Sequence, residues 1–324
     1  MSPRTVLAYR ALGLGDLLTG LPALRALRGA WPRAHLVLAA PAALGPLAAL
    51  SGAVDELLPT TAFEPLPELR PDVAVNLHGR GPQSHATLAA ARPRRLVAFA
   101  SAEAAVAGPV WRADEHEVAR WCRLLAESGI PADPGELSIP APPPSRWCSG
   151  ARRGATIVHP GAASPARRWP VERFASVARA EAGRGRTVLV TGSPEERDLA
   201  LELARRAGLD PSCVVAGRTD LVELAGIVAA AGRLVCGDTG VAHLATALGT
   251  PSVVLFGPTS PGRWGPPPGH SQHRVLWAGR HGDPHGDEVD PGLLDIDVEA
   301  VLDELALLDR SSSPGAQEPA AIEG

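Results

Sequence analysis

Short apolar runs alternate along this chain with longer segments in which Leu, Ala and Arg recur every three or four positions. The runs predict strands over 5–9, 36–40, 73–77 and 96–100. The longer period predicts a helix over 16–29, with Leu17, Leu18, Leu21, Leu24 and Leu27 on one face, and a second over 115–128 through Val118, Trp121, Cys122, Leu124 and Leu125. Residues 138–154 carry four prolines between Pro140 and Pro144 and read as an interdomain linker. The alternation then sharpens. Strands are expected at 156–159, 187–191, 214–216, 234–236 and 252–256, and helices at 171–182, 195–207, 221–231 and 241–248. Five such steps predict a doubly wound parallel sheet, and the first half is a weaker version of the same pattern. Residues 257–292 read as loop and 293–308 as a helix. The polar stretch 311–324 is expected to be disordered.

The expected division is an N-terminal domain over 1–140, a linker over 141–154, a C-terminal domain over 155–310 and a tail. Two doubly wound domains place a cleft between the carboxyl ends of their sheets, where ligands of such sheets bind. The residues that follow each strand are therefore the ones to inspect.

Composition narrows the classes. A chain of 324 residues favours two domains, and 45 % apolar with 20 % charged residues is globular. The net charge is −4, so no basic field argues for nucleic acid. All 31 basic residues are Arg, and no lysine is available for any role. The four cysteines lie far apart, which excludes a zinc ribbon and a small disulfide scaffold. The first sixteen residues carry Arg4, Arg10 and Asp16 and lack the apolar core of a signal peptide. The stretch 36–50, interrupted by Pro41, Gly45 and Pro46, is too short to cross a bilayer. A cytoplasmic protein is expected, with peripheral contact at the inner face of a membrane if its acceptor is lipid-linked.

Two strand-to-helix turns carry the most chemistry. In Gly13-Leu-Gly-Asp16, the spacing does not fit a dinucleotide fingerprint, and a carboxylate stands where a pyrophosphate would have to sit. Asp16 is either a plain N-cap or a base for a substrate hydroxyl, which the helix terminus would keep ionised by lowering its pKa. In Cys236-Gly-Asp-Thr-Gly-Val-Ala-His243, the free amides of a helix start can hold a diphosphate. Gly240 permits close approach, and Thr239 and His243 add donors on one face. Asp238 suits sugar hydroxyls. The plainer reading is a capped helix with a buried histidine.

Other turns follow the remaining strands. His159-Pro-Gly-Ala-Ala-Ser164 leads to Arg167, a cation able to neutralise a leaving diphosphate, or a solvated side chain of an ordinary loop. Glu195 and Glu196 suit a ribose diol or merely cap a helix, and Thr219 lies in the next turn. His270, His273, His281 and His285 sit with Asp283 and Asp287 in 270–287. Their spacing is not that of a metal site, and a mobile loop beside the cleft is expected instead.

Gly15-Asp16-Leu-Leu, His159-Pro-Gly with Arg167 and Trp169-Pro170, Gly217-Arg-Thr-Asp-Leu221, Gly237-Asp-Thr-Gly-Val-Ala-His243 and Phe256-Gly-Pro-Thr259 resemble glycosyltransferase family 9. The best-known members of that family are ADP-heptose:lipopolysaccharide heptosyltransferases. The resemblance runs in order from about Arg10 to Arg263. It implies a GT-B fold, two Rossmann-like domains facing across a cleft. It also implies inversion at the anomeric carbon, a nucleotide-sugar donor that is a substrate, and neither metal nor other cofactor. It assigns Asp16 as the general base. It places Ser164, Arg167, Glu196, Thr219, Asp238, Thr239, Gly240 and His243 around the donor. The family usually carries lysine where Arg167 stands. Beyond Arg263 the chain departs from the family pattern, with Gly282–Asp287 where many members have cysteines, so lipopolysaccharide is not carried over as the acceptor, and a glycan or lipid-linked acceptor is expected. The competing readings are a GT-B-like sugar-nucleotide epimerase and a non-catalytic nucleotide-sugar binding protein. A dinucleotide dehydrogenase is more distant.

Overall fold

Strands buried on both faces need apolar residues at every position, which is why the runs are continuous rather than alternating. The computed structural model describes residues 4–148 and 150–311, and all but the first residue of the expected tail falls outside them. The first half folds as β1 (Thr5–Tyr9), α1 (Leu14–Thr19), α2 (Leu21–Ala30), β2 (His35–Ala40), α3 (Gly45–Leu50), β3 (Glu56–Pro59), β4 (Val73–Asn76), α4 (Gln83–Ala90), β5 (Arg95–Val97) and α5 (Glu117–Glu127). The second half folds as β6 (Thr156–His159), α6 (Val171–Gly183), β7 (Val188–Val190), α7 (Arg197–Ala207), α8 (Leu221–Ala229), β8 (Arg233–Gly237), α9 (Gly240–Leu248), β9 (Ser252–Phe256), α10 (Pro261–Trp264), β10 (His273–Trp277), α11 (Pro291–Leu294) and α12 (Val298–Ser311).

Two five-stranded sheets result, ordered β3-β2-β1-β4-β5 and β10-β9-β8-β6-β7. Every pairing between these strands is parallel. Alternate residues of β1 face opposite sides. Val6 and Ala8 pack with Leu17, Leu18, Leu21 and Leu24, whereas Leu7 and Tyr9 pack with Leu88 and Ala91. The core under α1 and α2 continues into the second sheet through Ile157, Leu234, Cys236 and Leu244. The far face of that sheet is covered by α6, α7 and α12, with Trp169 and Phe174 at 5.0 Å in an edge contact.

The structure departs from the pattern-based reading in several places, among them the helix expected over 293–308, which is divided between α11 and α12. The helix expected over 16–29 is two helices, broken at Gly20. The strand expected at 214–216 shrinks to a single bridge between Val190 and Val214. With that bridge the second sheet has the six positions of a dinucleotide-fold order, one of them vestigial. The segment 257–292, read as loop, contains β10, a half-buried edge strand paired with β9. Its His and Arg residues hid it, because an edge strand needs no continuous apolar run. β3, α3 and α4 are too short to show a clear period of their own. The linker segment packs on α8. A Cβ on Gly226 would stand 3.0 Å from the Pro143 carbonyl oxygen.

Leu24 is fully buried in the shared core and Leu294 is about half exposed. Leu24→Ala should lower stability by about 2–5 kcal/mol, while Leu294→Ala should stay within about 0.5 kcal/mol of the parent. Denaturant titration of both variants measures the contrast.

Candidate active site

In each sheet the strand order reverses at one point, between β1 and β4 and between β6 and β8. Turns that follow strands at such points open a crevice at the carboxyl edge. Here the two crevices face one another and form a single cleft of about 940 Å³. Its walls carry Asp16, Arg167, Glu196, Thr219, Asp238, Thr239, Gly240 and His243. These eight residues come from five separate turns. Ser164 stands apart. It is buried, and its hydroxyl donates to the Pro284 carbonyl at 2.5 Å, tying down the segment that brings His285 to the cleft.

The cleft closes where the first turns of α1 and α9 meet. A Cβ on Gly15 would stand 2.8 Å from Cδ2 of His243, and one on Gly240 would stand 3.0 Å from Cβ of Leu14. A larger residue at either position would require its neighbours to shift. Two further links cross between the halves: His116 Nε2 with the Gly265 carbonyl at 3.0 Å, and the Ile139 amide with the Ala247 carbonyl at 2.9 Å.

Asp16 is the third residue of α1, and Gly13 is the N-cap. Its Oδ2 accepts the Gly13 amide at 3.2 Å and its Oδ1 lies 3.3 Å from Nη2 of Arg10. The expectation of a lowered pKa is overturned. Burial pushes the carboxyl above its ordinary range and Glu117 adds to this, outweighing Arg10 and the Gly13 amide. The Gly13 amide at the helix start does lower the pKa, but the loss of water around the carboxylate dominates.

Across the cleft, β8 runs into α9 through Asp238 and Thr239. Thr239 is the N-cap with extended backbone, and its hydroxyl makes no capping bond. The first-turn amides of α9 therefore keep no side-chain partner at the N-cap. Asp238 is buried, which lifts its carboxyl to about 6 against the pull of Arg167. Arg167 donates from Nη1 to the Asp238 carbonyl at 3.3 Å, and its Nε is buried without a partner. Burial, with His116 and Arg10 acting in the same direction, lowers His243 to about 4, so its ring is neutral near pH 7. The ring sits edge-on to Trp264, with centroids 5.8 Å apart.

On the far wall, His159 pairs through Nδ1 with the Thr191 hydroxyl at 2.9 Å and lies 3.8 Å from Glu196. Burial lowers its pKa against the opposing pull of Glu196. Glu196 also accepts the Ser193 amide at 2.8 Å, so the capping reading of this residue is realised while it faces the cleft. Of the four histidines in 270–287, only His285 lines the cleft. His273 is bound to Ser252 at 2.9 Å, and His281 packs on Trp277. Among the described residues, no three His, Cys, Asp or Glu side chains converge as a metal site would require.

The sequence reading missed Arg10, Thr259, Arg263 and Trp264. The last three line the cleft. Arg10 ends an otherwise apolar strand, the one local signal that could have singled it out.

Comparison with known proteins places this geometry. The family model described as glycosyltransferase family 9 (heptosyltransferase) matches residues 92–290. Lipopolysaccharide heptosyltransferase 2 of Escherichia coli K12 is 31 % identical over 169 residues, which is 50 % of this chain and 45 % of the relative. The match thus spans about half the length of that curated relative. The solved structure of E. coli ADP-heptose lps heptosyltransferase II superposes with a TM-score of 0.77 at 25 % identity, covering 95 % of this chain and 100 % of that one. The glycosyl transferase family 9 structure from Veillonella parvula DSM 2008 gives 0.77 at 21 % identity, covering 95 % and 98 %. Two doubly wound domains across a cleft are the GT-B arrangement that the resemblance implied.

Asp238 releases its proton near 3.8 when unfolded and only near 6 when folded. The folded state binds the extra proton between these values, so this group's contribution is full below the lower value and is lost as pH rises through the upper one. Asp238→Asn should therefore be more stable than the parent at pH 7.5 by about 2–3 kcal/mol, with the gain vanishing toward pH 4. Denaturant midpoints at both pH values give the difference. An equal difference at both would contradict the buried, proton-binding carboxyl.

Proposed function

The chain belongs to glycosyltransferase family 9, and from that premise we propose that it transfers a heptose, with inversion, from an ADP-linked donor to a hydroxyl of a lipopolysaccharide or related glycan. The observation that carries this reading is one cleft with a half-buried carboxylate on the first domain and an uncapped helix start beside a cation on the second. The donor diphosphate lies at the start of α9, held by the first-turn amides, the Thr239 hydroxyl and Arg167. Gly240 lets it approach the backbone. His243, neutral, donates a hydrogen bond toward a phosphate oxygen. Glu196 and Thr219 face the nucleoside, and Asp238 faces the sugar hydroxyls. Ser164 acts on the donor indirectly, by fixing the segment at Pro284.

The acceptor hydroxyl lies at Asp16. It attacks the anomeric carbon from the face opposite the diphosphate, and Asp16 takes its proton. The carbon–oxygen bond to the diphosphate breaks, with oxocarbenium character in the transition state. Arg167 and the α9 amides receive the developing charge, so this reading requires no metal or other cofactor. The raised pKa of Asp16 favours the step, because a general base works best with a pKa near the operating pH. The setting is cytoplasmic, at the inner membrane face for a lipid-linked acceptor. Among the described residues, no helix is long and apolar enough to cross a membrane.

Asp16→Asn should cut turnover about 10²–10⁴-fold while donor affinity survives, assayed with ADP-heptose and heptose-free lipopolysaccharide. Unchanged turnover would favour a binding protein, and an acceptor-free change of the sugar would favour an epimerase. Thermal melting with ADP, GDP, UDP, dTDP and NAD tests the donor. At about 100 times its Kd a ligand adds roughly 2.7 kcal/mol, and ADP alone should do so. A shift with NAD alone would remove the transferase reading.

A further inference from the structure

Arg10 is 1 % exposed at the carboxyl end of β1, and its guanidinium is fully engaged. Nε donates to the Asp16 carbonyl and Nη1 to the Leu77 carbonyl. Nη2 faces three acceptors at once: Glu117 Oε1 at 3.0 Å, the Thr19 hydroxyl at 3.1 Å and Asp16 Oδ1 at 3.3 Å. Nη2 carries two hydrogens, so the three compete, and Asp16 holds the longest contact. Glu117 enters from α5, 107 residues further along. It is itself fixed by Trp121 Nε1 at 2.8 Å and by Arg120. The Arg10 guanidinium lies 4.9 Å from the centroid of the Trp121 ring. The helix break serves this contact, because a Cβ on Gly20 would stand 3.0 Å from Cδ of Arg10.

We propose that Arg10 is the positioning residue that aims the Asp16 carboxylate, and that Glu117 is the counter-ion that keeps Arg10 from binding that carboxylate too tightly for it to act as a base. The proposal rests on the reading of Asp16 as the general base. Arg10 grips the backbone of Asp16 through a strong bond at its carbonyl, which sets the orientation of α1. It leaves the side chain on a long, shared contact, which keeps the oxygen available to a substrate proton. Two cations, Arg10 and Arg120, face two carboxylates, Asp16 and Glu117, and Glu115 and Arg263 act on Arg120 in opposite directions. The other groups packed around it are His116 beside Glu117, His78 against Arg10 from the turn after β4, and His243 of α9 behind Gly15. Glu117 raises the affinity of Asp16 for its proton and Arg10 lowers it, in line with this division of labour.

The test is the pH profile of kcat/KM with ADP-heptose and heptose-free lipopolysaccharide, whose acid limb reports the base of the free enzyme. Glu117→Gln removes the competing charge, so Arg10 draws Asp16 closer. The acid limb should move down by about one pH unit and kcat should fall about three- to tenfold, with donor KM unchanged. Glu117→Asp keeps the charge but withdraws it from Nη2, and should move the limb the same way by less. It also keeps the test decisive if Glu117→Gln folds poorly. A limb that stays in place in both variants, with kcat and melting temperature falling together, would mean that Glu117 is only structural and would overturn the proposal. The parallel Asp16→Asn variant separates the two levels. If it retains turnover, the base assignment itself fails. If it loses turnover while the Glu117 limb stays put, only the positioning role fails.

Discussion

The site depends on two helix starts, one from each sheet, approaching until neither can carry a side chain. Gly15 and Gly240 meet where a single added methyl would collide with His243 or Leu14. This contact carries the core under α1 across to the second sheet, so the halves share a packed seam as well as a linker. It also brings Asp16 and the open amides of α9 to the same cleft. A carboxylate and an anion-binding helix start would be mismatched on one element. Divided between two domains, they suit a reaction in which one partner gives up a proton and the other departs as an anion.

Burial then sets the electrostatics. Three groups shift in the direction that disfavours charge, each chiefly through desolvation: Asp16 and Asp238 upward, His243 downward. The charges that persist are paired. Arg10 and Arg120 face Glu117, whose carboxyl they hold below its ordinary range although burial alone would raise it. Arg167 differs, since its Nη1 donates to a backbone carbonyl, that of Asp238, rather than to a carboxylate, and its Nε has no partner. A cation with spare donor capacity beside an uncapped helix start is poorly served by the protein alone and well served by a phosphate.

Much of this was legible in the residues. Thr5–Tyr9, Thr156–His159 and Ser252–Phe256 are mostly apolar because both faces are covered, and they read directly as strands. The turns after β1, β6 and β8 pointed to Asp16, Arg167 and Asp238, since the end of a parallel strand is where a ligand must lie. What failed depended on neighbours distant in sequence. The edge strand β10 has no covered second face to make it apolar. The pKa of Asp16 follows from desolvation in the folded chain and from Glu117 of α5, not from its own helix start. Arg10 looked like an ordinary cation until Glu117 and Trp121 folded onto it.

The central claim is that the two domains divide the chemistry, with the diphosphate on α9 and the base on α1. A crystal structure with bound ADP tests it most directly. The account places the diphosphate within hydrogen-bond reach of the Gly240 amide, the Thr239 hydroxyl and Arg167, with Asp16 facing it across the cleft and making no contact with it. A diphosphate seated instead on the Gly13–Gly15 turn would contradict it.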